Sequence, residues 1–478
     1  MTQFTVPAPK RSEINMAGFG RQLMPFQREG VEFLHSKDGR ALIGDEMGLG
    51  KTIQALGFIH SRPDLRPALV ICPASLKLNW EREAKVACPQ LKINIISGKK
   101  LEVLPKADLH IINYDIVADR FADIVSANIQ LMVLDECHFL KNRTAKRTKA
   151  ILGAGAKAPG LSKTPSIIGL SGTPILNRPV EIYPVAKTLA PNEIPPFMTF
   201  AMAYCGARHN GFGWDFTGSS KTDELHDLLT STIMIRRLKK DVLQDLPSKT
   251  RSVVPLQMGA KDAKDYAKAE NHFLGWLKLV NPEKIAAAQR AEALVQFQEL
   301  KKLARNGKWS SVVEWLNESL ESNGKMIVFA VHHETIDNLM EALQGFNPVK
   351  VDGRDSQEKR QAAVDRFQND GTCRLFVGNI KAAGVGLTLT AASAVVFVEL
   401  GWTPGEHVQA EDRAHRIGQK SAVNIYYLIA NGTVEEEIAG LLDRKQKVLD
   451  SVLDGTGTAE DALLSELLKK YLNQAKEV

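Results

Sequence analysis

Short apolar runs alternate with longer amphipathic stretches in two parts of the chain. Such runs are typical of strands buried on both faces of a parallel sheet, and the stretches between them have the length of crossover helices. The apolar runs are RALIG, PALVIC, KINIIS, DLHIIN, QLMVLDE and SIIGL between residues 40 and 190, then MIVFAV, PVKV, CRLFVG, SAVVFVE and VNIYYLI after residue 325. The pattern predicts the α/β fold class, with two separate parallel-sheet domains.

From about residue 191 to residue 310, charged helical stretches such as KDAKDYAKAENHFLGWLKLV replace the strand pattern. This change predicts a helical insertion. Further on, Thr433 and Glu436 have the spacing of a capping box at the start of an apolar-periodic helix. We therefore predict a first α/β domain over residues 1–190, a helical insertion over 191–310, a second α/β domain over 311–432 and a C-terminal helical brace over 433–478.

The composition excludes several classes of protein. A chain of 478 residues, 44% apolar and 24% charged, is typical of a globular protein with two or three domains. Its five cysteines form no C-x-x-C pair and so indicate neither a zinc site nor a disulfide framework. Because no apolar run has the length of a bilayer span or of a signal-peptide core, we expect a cytoplasmic protein with no membrane partner. The net charge of +6 is too small to indicate a polyanionic partner by itself.

The segment GDEMGLGKT, residues 44–52, follows the apolar run RALI and precedes a helical stretch. Its glycines would let backbone N–H groups approach phosphate oxygens, while Lys51 would contact the phosphates and the Thr52 hydroxyl would bind Mg²⁺. The strict phosphate-loop pattern has glycine where this chain has Asp45. Because strand, loop and helix occur in the required order, we interpret the segment as a phosphate loop and not as an ordinary glycine-rich turn.

Two adjacent carboxylates end the apolar run LMVL. In nucleotide hydrolysis, the first carboxylate of such a pair, here Asp135, holds Mg²⁺, and the second, here Glu136, positions and polarises the attacking water. A solvated acidic turn is the alternative for an isolated pair. The phosphate loop predicted in the same sheet favours a hydrolytic site.

These motifs and several later segments resemble the Swi/Snf-type branch of the superfamily-two helicase-like ATPases, over nearly the whole chain. The other matching segments are LMPFQREGVEFL at 23–34, LVICPASLKLNW, INYD, LSGTPILN at 170–177, MIRRLKKDVLQDLPSK at 234–249, VDGR at 351–354, VGNIKAAGVGLTLTAASAVVFVELGWTPG from 377 and QAEDRAHRIGQ at 409–419. The resemblance implies two RecA-like domains with ATP in the cleft between them. Within the family, the compact motor is most similar to the annealing-helicase or fork-remodelling subfamily and its bacterial or phage relatives.

The segment QAEDRAHRIGQ carries Arg413 and Arg416, three residues apart. On a helix the two arginines would share a face and reach one phosphate, where they would stabilise charge on the transferred phosphoryl group. A solvated basic helix face is the alternative for two isolated arginines. By resemblance, Gln409 and His138 link the two domains across the nucleotide, and Gln27 reads the adenine edge.

These interpretations define a set of candidate site residues. The predicted catalytic residues are Lys51, Asp135, Glu136, Gln409, Arg413 and Arg416. The predicted nucleotide-binding residues are Gln27, Asp45, Glu46, Met47, Gly48, Leu49, Gly50, Lys51, Thr52 and Gly386, with Thr52 and Asp135 as ligands of Mg²⁺. ATP and Mg²⁺ are the expected cofactors, and duplex or forked DNA, bound independently of sequence, is the expected partner.

The expected function is an ATP-dependent DNA translocase that remodels duplex or forked DNA. One alternative is a strand-separating DNA or RNA helicase, which shares the nucleotide chemistry. Another is a nucleic-acid scaffold that hydrolyses nothing, and this alternative predicts the loss of catalytic residues. The residues Lys51, Glu136, Arg413 and Arg416 are all present.

A few other residues leave two readings open. The run KNRTAKRTK, residues 141–149, has five basic residues and no acidic one, and it is either a solvated face or a set of phosphate contacts to DNA. Trp80 and Trp402 either stack on bases or, as we expect, pack in the core. His332 and His333 follow an apolar run and either contact the DNA backbone or start a helix.

Overall fold

The structure, a computed structural model, describes most of the chain. The described ranges are residues 14–154, 158–172, 174–175, 178–209, 213–216, 218–243, 245–278, 287–322, 324–383, 387–442 and residue 471. They divide into two compact units at the boundary between residues 244 and 245. Each unit is built on a parallel sheet of its own.

Strands and helices alternate along the first unit. Its described strands are β1 (Arg40–Ile43), β2 (Ala68–Cys72), β3 (Ile93–Ile95), β4 (Leu109–Asn113), β5 (Leu131–Asp135), β6 (Ser166–Leu170), β7 (Arg208–His209), β8 (Trp214–Asp215) and β9 (Met234–Ile235). Its described helices are α1 (Pro25–Ser36), α2 (Lys51–Ser61), α3 (Lys77–Ala87), α4 (Phe121–Ser126), α5 (Lys146–Leu152), α6 (Tyr183–Leu189), α7 (Phe197–Tyr204), α8 (Thr222–Thr232) and α9 (Lys239–Val242).

The first sheet has seven parallel strands in the order β3-β4-β2-β5-β6-β1-β9. The strands β2, β4, β5 and β6 are buried along their whole length, as expected for a sheet covered by helices on both faces. Strand residues such as Leu69 and Leu134 share an apolar cluster with Ile151 of α5 and Val185 of α6. Each apolar run predicted between residues 40 and 190 is a strand of this sheet, which confirms the α/β class here.

The second unit repeats this architecture. Its described strands are β10 (Lys249–Leu256), β11 (Lys325–Ala330), β12 (Val349–Val351), β13 (Leu375–Asn379), β14 (Ala392–Phe397) and β15 (Val423–Ala430). Its described helices are α10 (Ala260–Lys278), α11 (Ala287–Gly307), α12 (Trp309–Ser322), α13 (His333–Ala342), α14 (Gln357–Asn369), α15 (Ile380–Ala383) and α16 (Pro404–Glu411). All six strands are parallel, in the order β10-β15-β14-β11-β13-β12. The apolar runs after residue 325 are strands of this sheet, so the second predicted sheet is also confirmed.

The range predicted as a helical insertion contains edge strands of both sheets. β9 pairs with β1 at the edge of the first sheet, and β10 pairs with β15 at the edge of the second. Most residues of β10 are exposed or half-buried, so the strand has no continuous apolar run. The helices α10 and α11 lie in the same range, and the boundaries of the insertion stay a prediction.

The helix predicted to follow Thr433 is present over residues 434–442. The Thr433 hydroxyl accepts a hydrogen bond from the Glu435 N–H at 3.3 Å, and the Glu436 carboxylate accepts one from the Gly432 N–H at 3.1 Å. In a capping box, Glu436 would accept its hydrogen bond from the Thr433 N–H. In this structure it accepts one from the N–H of the preceding residue, Gly432. Beyond residue 442 the predicted brace lies outside the described residues, apart from one position. No helix in the described ranges combines the length and the apolar character that crossing a membrane requires.

Candidate functional site

The candidate hydrolytic residues follow three neighbouring strands of the first sheet. β5, β6 and β1 lie side by side, and their carboxyl ends lead into Asp135 and Glu136, into Ser171 and Gly172, and into the loop 44–50. In open parallel sheets, ligands bind at the edge formed by these carboxyl ends. The fold therefore brings motifs that are distant in sequence to one edge.

The loop after β1 has left-handed backbone at two glycines. The φ angle is 85° at Gly48 and 80° at Gly50, a conformation in which glycine carries no steric cost. Helix α2 begins at Lys51, directly after the loop, so the N–H groups of a helix N-terminus are available to an anion. Met47, directly before the two glycines, and Leu49, between them, are buried and anchor the loop to the protein.

The Lys51 side chain lies over this loop. Its Nζ donates hydrogen bonds to the carbonyl oxygens of Asp45 at 2.9 Å and Glu46 at 3.4 Å. Gly172, after β6, leaves the space for it, because a Cβ there would be 3.2 Å from Lys51 Nζ and 2.3 Å from Met47 Cγ. Burial lowers the pKa of Lys51, and the nearby acidic groups, Glu136 first among them, oppose the shift. The loop therefore holds the ammonium group of a half-buried lysine beside the predicted catalytic carboxylates.

The Asp45 side chain is turned into the protein. Its buried carboxylate accepts hydrogen bonds from Arg237 Nε at 2.9 Å, from Arg237 Nη2 at 2.6 Å and from Gln54 Nε2 at 2.9 Å. Asp45 was predicted as a nucleotide-binding residue, and its contribution to the loop is the backbone carbonyl that accepts the Lys51 hydrogen bond. The ion pair with Arg237 explains how an acidic residue occupies the first position of the phosphate-loop pattern without presenting its charge to phosphate.

Glu46 is likewise tied to a distant segment. Its carboxylate accepts a hydrogen bond from the Lys239 N–H at 2.7 Å, and the Lys239 ammonium lies 3.7 Å from it. Its carbonyl accepts the hydrogen bond from Lys51. Both acidic residues of the loop are thus neutralised by cations that follow β9.

Gln27 connects helix α1 to the phosphate loop. Its Nε2 donates to the Leu49 carbonyl at 3.1 Å, and its Oε1 accepts from the Met24 N–H at 3.0 Å. A Cβ at Gly50 would approach Gln27 Nε2 to 2.6 Å, so glycine is required there for this contact as well. The structure places Gln27 beside the loop, and its side chain is a primary amide of the kind that pairs with adenine. Its contact with the adenine edge stays a prediction.

Asp135 is buried and forms hydrogen bonds with two aromatic residues, Trp80 and Tyr114. Trp80 Nε1 donates to its Oδ2 at 2.7 Å, and the Tyr114 hydroxyl donates to its backbone carbonyl at 2.9 Å. Burial and the Glu136 charge raise the pKa of Asp135 to about 7, and the Trp80 hydrogen bond opposes this shift. Trp80 is fully buried, which confirms its predicted place in the core and adds a role in orienting Asp135.

The residues predicted to hold Mg²⁺ fit that ion chemically. Asp135 is a carboxylate whose ionised form burial disfavours, and a nearby divalent cation would stabilise that form. Thr52, in the first turn of α2, supplies a hydroxyl oxygen. Carboxylate and hydroxyl oxygens are hard ligands of the kind that Mg²⁺ prefers when phosphate completes its shell.

Glu136 is joined to the residues that follow β6. Its Oε2 lies 3.3 Å from His138 Nδ1 and accepts a hydrogen bond from the Ser171 hydroxyl at 3.5 Å, while His138 and Ser171 are 3.1 Å apart. The φ angle of Glu136 is 54°, a left-handed conformation that non-glycine residues seldom adopt. This turn directs the carboxylate toward Ser171. The predicted link of His138 to the second domain stays a prediction.

In the second unit, Arg413 and Arg416 converge on one backbone oxygen. Arg413 Nη1 lies 3.3 Å and Arg416 Nη1 3.1 Å from the Leu387 carbonyl, and Arg413 Nε also donates to the Gln409 carbonyl at 2.9 Å. The prediction that both lie on a helix face is wrong, because α16 ends at Glu411 and both arginines lie in the following turns. The turns nevertheless bring the two guanidinium groups together. Gln409, on α16, is buried.

An ionic network around two buried carboxylates, which the sequence did not indicate, involves the residues directly before these arginines. The Glu411 carboxylate is buried and accepts hydrogen bonds from Lys249 Nζ at 3.0 Å, from Arg251 Nε and Nη2 at 2.7 Å and from the Tyr427 hydroxyl at 2.8 Å. Lys249 also donates to Asp412 at 3.1 Å. Despite its burial, the pKa of Glu411 is lowered to about 2 by Lys249 and Arg251. The carboxylate is therefore ionised in the folded protein.

Three other sequence-based expectations have different outcomes. Trp402 is partly buried against an apolar cluster, with Lys301 Nζ 4.5 Å from its ring centroid, which supports the core-packing role. His332 directly precedes α13 and its Nδ1 lies 2.7 Å from Glu399 Oε1, so it starts a helix, while its contact with DNA stays a prediction. Gly386 lies outside the described residues.

Most of the basic run at 141–149 is engaged within the protein. Lys141 pairs with Glu181 at 3.5 Å, Lys146 with Asp119 at 3.4 Å and Arg147 with Asp115 at 3.6 Å. The Arg143 guanidinium lies over the Phe197 ring, 3.8 Å from its centroid. These exposed pairs favour the solvated-face reading of the run, although such pairs are weak enough to exchange for phosphate.

Two family models match the chain. The model described as SNF2-related domain matches residues 26–308, and the model described as Helicase conserved C-terminal domain matches residues 307–418. The first covers more than half of the chain and includes the phosphate loop and the Asp135-Glu136 pair. The second includes Gln409, Arg413 and Arg416.

Individual proteins match over nearly the whole chain. The DNA annealing helicase and endonuclease ZRANB3 of Bos taurus is 36% identical over 91% of this chain and 41% of its own length. The SWI/SNF-related matrix-associated actin-dependent regulator of chromatin subfamily A-like protein 1 of Xenopus tropicalis is 37% identical over 93% of this chain and 46% of its own length. This chain thus spans less than half the length of either relative. Among solved structures, the Sulfolobus solfataricus SWI2/SNF2 ATPase core in complex with dsDNA is 23% identical, with a TM-score of 0.44 over 97% of this chain and 98% of its own.

Proposed function

Since the chain belongs to the SNF2-related family, we propose that it is an ATP-dependent DNA translocase that hydrolyses ATP and moves along duplex or forked DNA. The observation that carries this proposal is the arrangement at the edge of the first sheet. There Lys51 lies over a glycine-rich loop, and the buried carboxylates of Asp135 and Glu136 act on its charge. A phosphate-binding cation beside a pair of carboxylates is the arrangement that nucleotide hydrolysis requires.

Each residue has a distinct proposed role. Lys51 and the N–H groups of the loop bind the phosphates, and Gln27 contacts the adenine. Glu136, held by Ser171 and His138, orients the attacking water and accepts its proton. When bound at Thr52 and Asp135, Mg²⁺ would neutralise phosphate charge.

Arg413 and Arg416 are the proposed arginine fingers of the second unit. Their shared contact with the Leu387 carbonyl presents two guanidinium groups together. A guanidinium at the transferred phosphoryl group stabilises the charge that develops there, an effect worth about 10³- to 10⁵-fold in rate. Gln409, whose carbonyl holds Arg413, positions this finger.

DNA is the proposed polymer along which the protein moves. Of the two relatives described above, one is named as a DNA annealing helicase and endonuclease, and the other as a regulator of chromatin. The family supports duplex translocation, and the similarity to an annealing helicase supports duplex or forked DNA as the substrate. Binding that is independent of base sequence follows if the contacts are to phosphates.

The test is the ATPase rate of this chain with no nucleic acid, single-stranded DNA, duplex DNA, forked DNA and RNA. We expect duplex or forked DNA to give the largest stimulation, with the Glu136→Gln variant as the inactive control. Stimulation by RNA or by single strands alone would favour a strand-separating or RNA helicase. No ATP turnover under any condition would favour a scaffold and contradict the proposal.

A further inference from the structure

The basic segment at residues 236–251, named here the linking segment, crosses the boundary at which the chain passes from the first unit to the second. Its sequence, RRLKKDVLQDLPSKTR, contains six basic residues. A basic stretch in a protein of this kind would ordinarily be interpreted as a contact with the DNA backbone. In this structure, however, Arg236, Arg237 and Lys239 contact the phosphate loop. Lys249 and Arg251 contact the two acidic residues that directly precede Arg413.

Arg237 joins three parts of the nucleotide site in the first unit. Its guanidinium forms a two-point ion pair with the Asp45 carboxylate of the phosphate loop, at 2.9 and 2.6 Å. It also donates to the Phe26 carbonyl of α1, next to Gln27, and to Gln54 Oε1 of α2 at 2.9 Å. The Arg237 side chain is only 11% exposed and the Asp45 side chain is not exposed at all. A rigid planar guanidinium suits this role because it can satisfy several acceptors at fixed angles.

The neighbours of Arg237 hold the same loop at other points. Arg236 Nη1 donates to the Gly44 carbonyl at 2.7 Å and to the Gly172 carbonyl at 3.2 Å, which links the loop to the residues after β6. The Lys239 N–H donates to the Glu46 carboxylate at 2.7 Å. The linking segment thus fixes the phosphate loop at Gly44, Asp45 and Glu46, directly before the glycines that would face phosphate.

In the second unit, the other end of the linking segment runs beside the residues that carry the arginine fingers. The Pro247 carbonyl lies 2.8 Å from His415 Nε2. Lys249 and Arg251 neutralise Glu411, and Lys249 also contacts Asp412. These contacts bracket Arg413 on both sides in the sequence.

The charges explain why the fingers need this support. Glu411 and Asp412 immediately precede Arg413, and Asp412 is four residues before Arg416. Both acidic side chains are buried, with exposures of 0% and 1%. An unpaired buried carboxylate is unfavourable, so without Lys249 and Arg251 these carboxylates would be expected to pair with a finger arginine. Lys249 and Arg251 pair with these carboxylates instead, at N–O distances of 2.7 to 3.1 Å.

A DNA-contact role is disfavoured for the first end of the segment by burial. The side chains of Arg237 and Lys239 are 11% and 3% exposed, and each is paired with an acidic residue of the phosphate loop. A phosphate backbone would have to break these buried pairs to reach the cations. Replacing Arg237 or Lys239 by a neutral residue should therefore change ATP binding more than it changes DNA binding.

We propose that the linking segment positions both sets of catalytic groups, with Arg237 fixing the phosphate loop and Arg251, together with Lys249, keeping the Glu411 and Asp412 carboxylates away from the finger arginines. The inference rests on the proposed function, because it assumes that these groups act on ATP. It predicts that one end of the segment affects the Kd of Mg·ATP and that the other end affects kcat. Changes near Arg237 act on nucleotide binding, whereas changes near Arg251 act on turnover.

The first arm of the test replaces Arg237 by Met and measures the Kd of Mg·ATP by competition with a fluorescent ATP analogue. Arg120→Met is the matched control, because Arg120 is a fully buried arginine of the same unit that pairs with Asp123 and Glu102. We expect the Kd to rise about tenfold or more for Arg237→Met and to change less than about twofold for the control. If Arg237→Met does not fold, the double variant Arg237→Met with Asp45→Asn removes the unpaired buried charge and should show the same loss of affinity.

The second arm replaces Arg251 by Met and measures the steady-state kcat and the Kd of Mg·ATP, at a temperature at which circular dichroism shows the protein fully folded. Arg305→Met is the matched control, since Arg305 pairs with Glu334 and Glu399 in the same unit. We expect kcat to fall about tenfold or more for Arg251→Met with little change in Kd. Adding Glu411→Gln, which removes the competing charge, should restore most of the lost turnover.

The outcomes separate this inference from the proposed function. If the parent hydrolyses ATP and both variants match their controls, or if Glu411→Gln restores nothing, the positioning role is overturned and the translocase proposal stands. If the parent hydrolyses no ATP, the proposed function fails. The Kd comparison of Arg237→Met with Arg120→Met then still decides whether this end of the segment supports nucleotide binding.

Discussion

Glu136 holds a backbone conformation that few residues other than glycine adopt. Its φ of 54° carries a cost of about 1 to 3 kcal/mol, which the surrounding structure must offset. The contacts with Ser171 and His138 are the local contribution to that offset. Strain of this kind at a predicted catalytic carboxylate is consistent with a side chain held in one orientation for chemistry.

Replacing Glu136 by Gln tests this role at the scale of one residue. The amide keeps the size of the side chain and an oxygen for Ser171, but it cannot accept a proton from water. We expect ATP hydrolysis to fall by about 10² to 10⁴-fold while the Kd of Mg·ATP stays within about threefold of the parent value. Loss of ATP binding, or turnover close to that of the parent, would contradict the assignment.

Glu411 predicts a pH dependence of stability. Its pKa is lowered from 4.5 to about 2 by Lys249 and Arg251, so the stability that it contributes is fully present above about pH 4.5 and is lost as the pH falls towards 2. The thermal midpoint of a Glu411→Gln variant should therefore decline less steeply than that of the parent between about pH 5 and 3. Glu224→Gln, at an exposed position, is the control. Equal slopes for Glu411→Gln and the parent would show that the ion pair contributes nothing.

At the same scale, the sequence predicted which residues gather around the phosphate loop but not what holds them. Lys51, Asp135 and Glu136 belong to short contiguous motifs, so their chemistry could be inferred from spacing alone. The ion pair of Asp45 with Arg237 joins residues 192 positions apart, and one sequence carries no signal for such a pair. The local spacing of Arg413 and Arg416 indicated that they meet, but it did not show that the helix ends before them.

At the scale of elements, burial decided which strands could be predicted. The central strands are covered on both faces and therefore have continuous apolar runs, as in β2 and β5. The edge strands β9 and β10 escaped prediction for different reasons. β9 has two residues, and β10 is mostly exposed, with charged and hydroxyl side chains in its first four positions. Edge strands need not bury both faces, so their sequences lack the pattern.

The basic run at 141–149 provides a test at this scale. The structure pairs Lys141, Lys146 and Arg147 with acidic side chains, so we expect the run to add little to DNA binding. Neutralising the five basic residues of the run together should change the slope of log K against log salt by less than about one unit, measured by fluorescence anisotropy on duplex DNA. A decrease of about three units or more would show that the run contacts phosphates.

At the scale of the whole molecule, two units of the same architecture carry different parts of the proposed chemistry. Lys51, Asp135 and Glu136 lie in the first unit, and Arg413 and Arg416 lie in the second. The α/β class of both units followed from the apolar runs. The proposed role of the linking segment could not be predicted in this way, because it depends on contacts that its two ends make in different units.

This division predicts the behaviour of Arg416→Ala. The variant should still bind Mg·ATP through the first unit, but its DNA-stimulated turnover should fall about 10³- to 10⁵-fold, equivalent to about 4 to 7 kcal/mol of transition-state stabilisation. DNA affinity without nucleotide should be little changed, and fluorescence anisotropy is its measurement. Turnover within about threefold of the parent would exclude Arg416 as a finger.

Displacement of a third strand shows whether ATP hydrolysis drives movement of the protein along duplex DNA. A triplex-forming oligonucleotide is bound to a duplex, and its release is followed after addition of this chain and ATP. We predict release that requires ATP, that leaves the two duplex strands paired, and that is absent with Glu136→Gln. Rapid ATP turnover on the same duplex without any release of the third strand would contradict it.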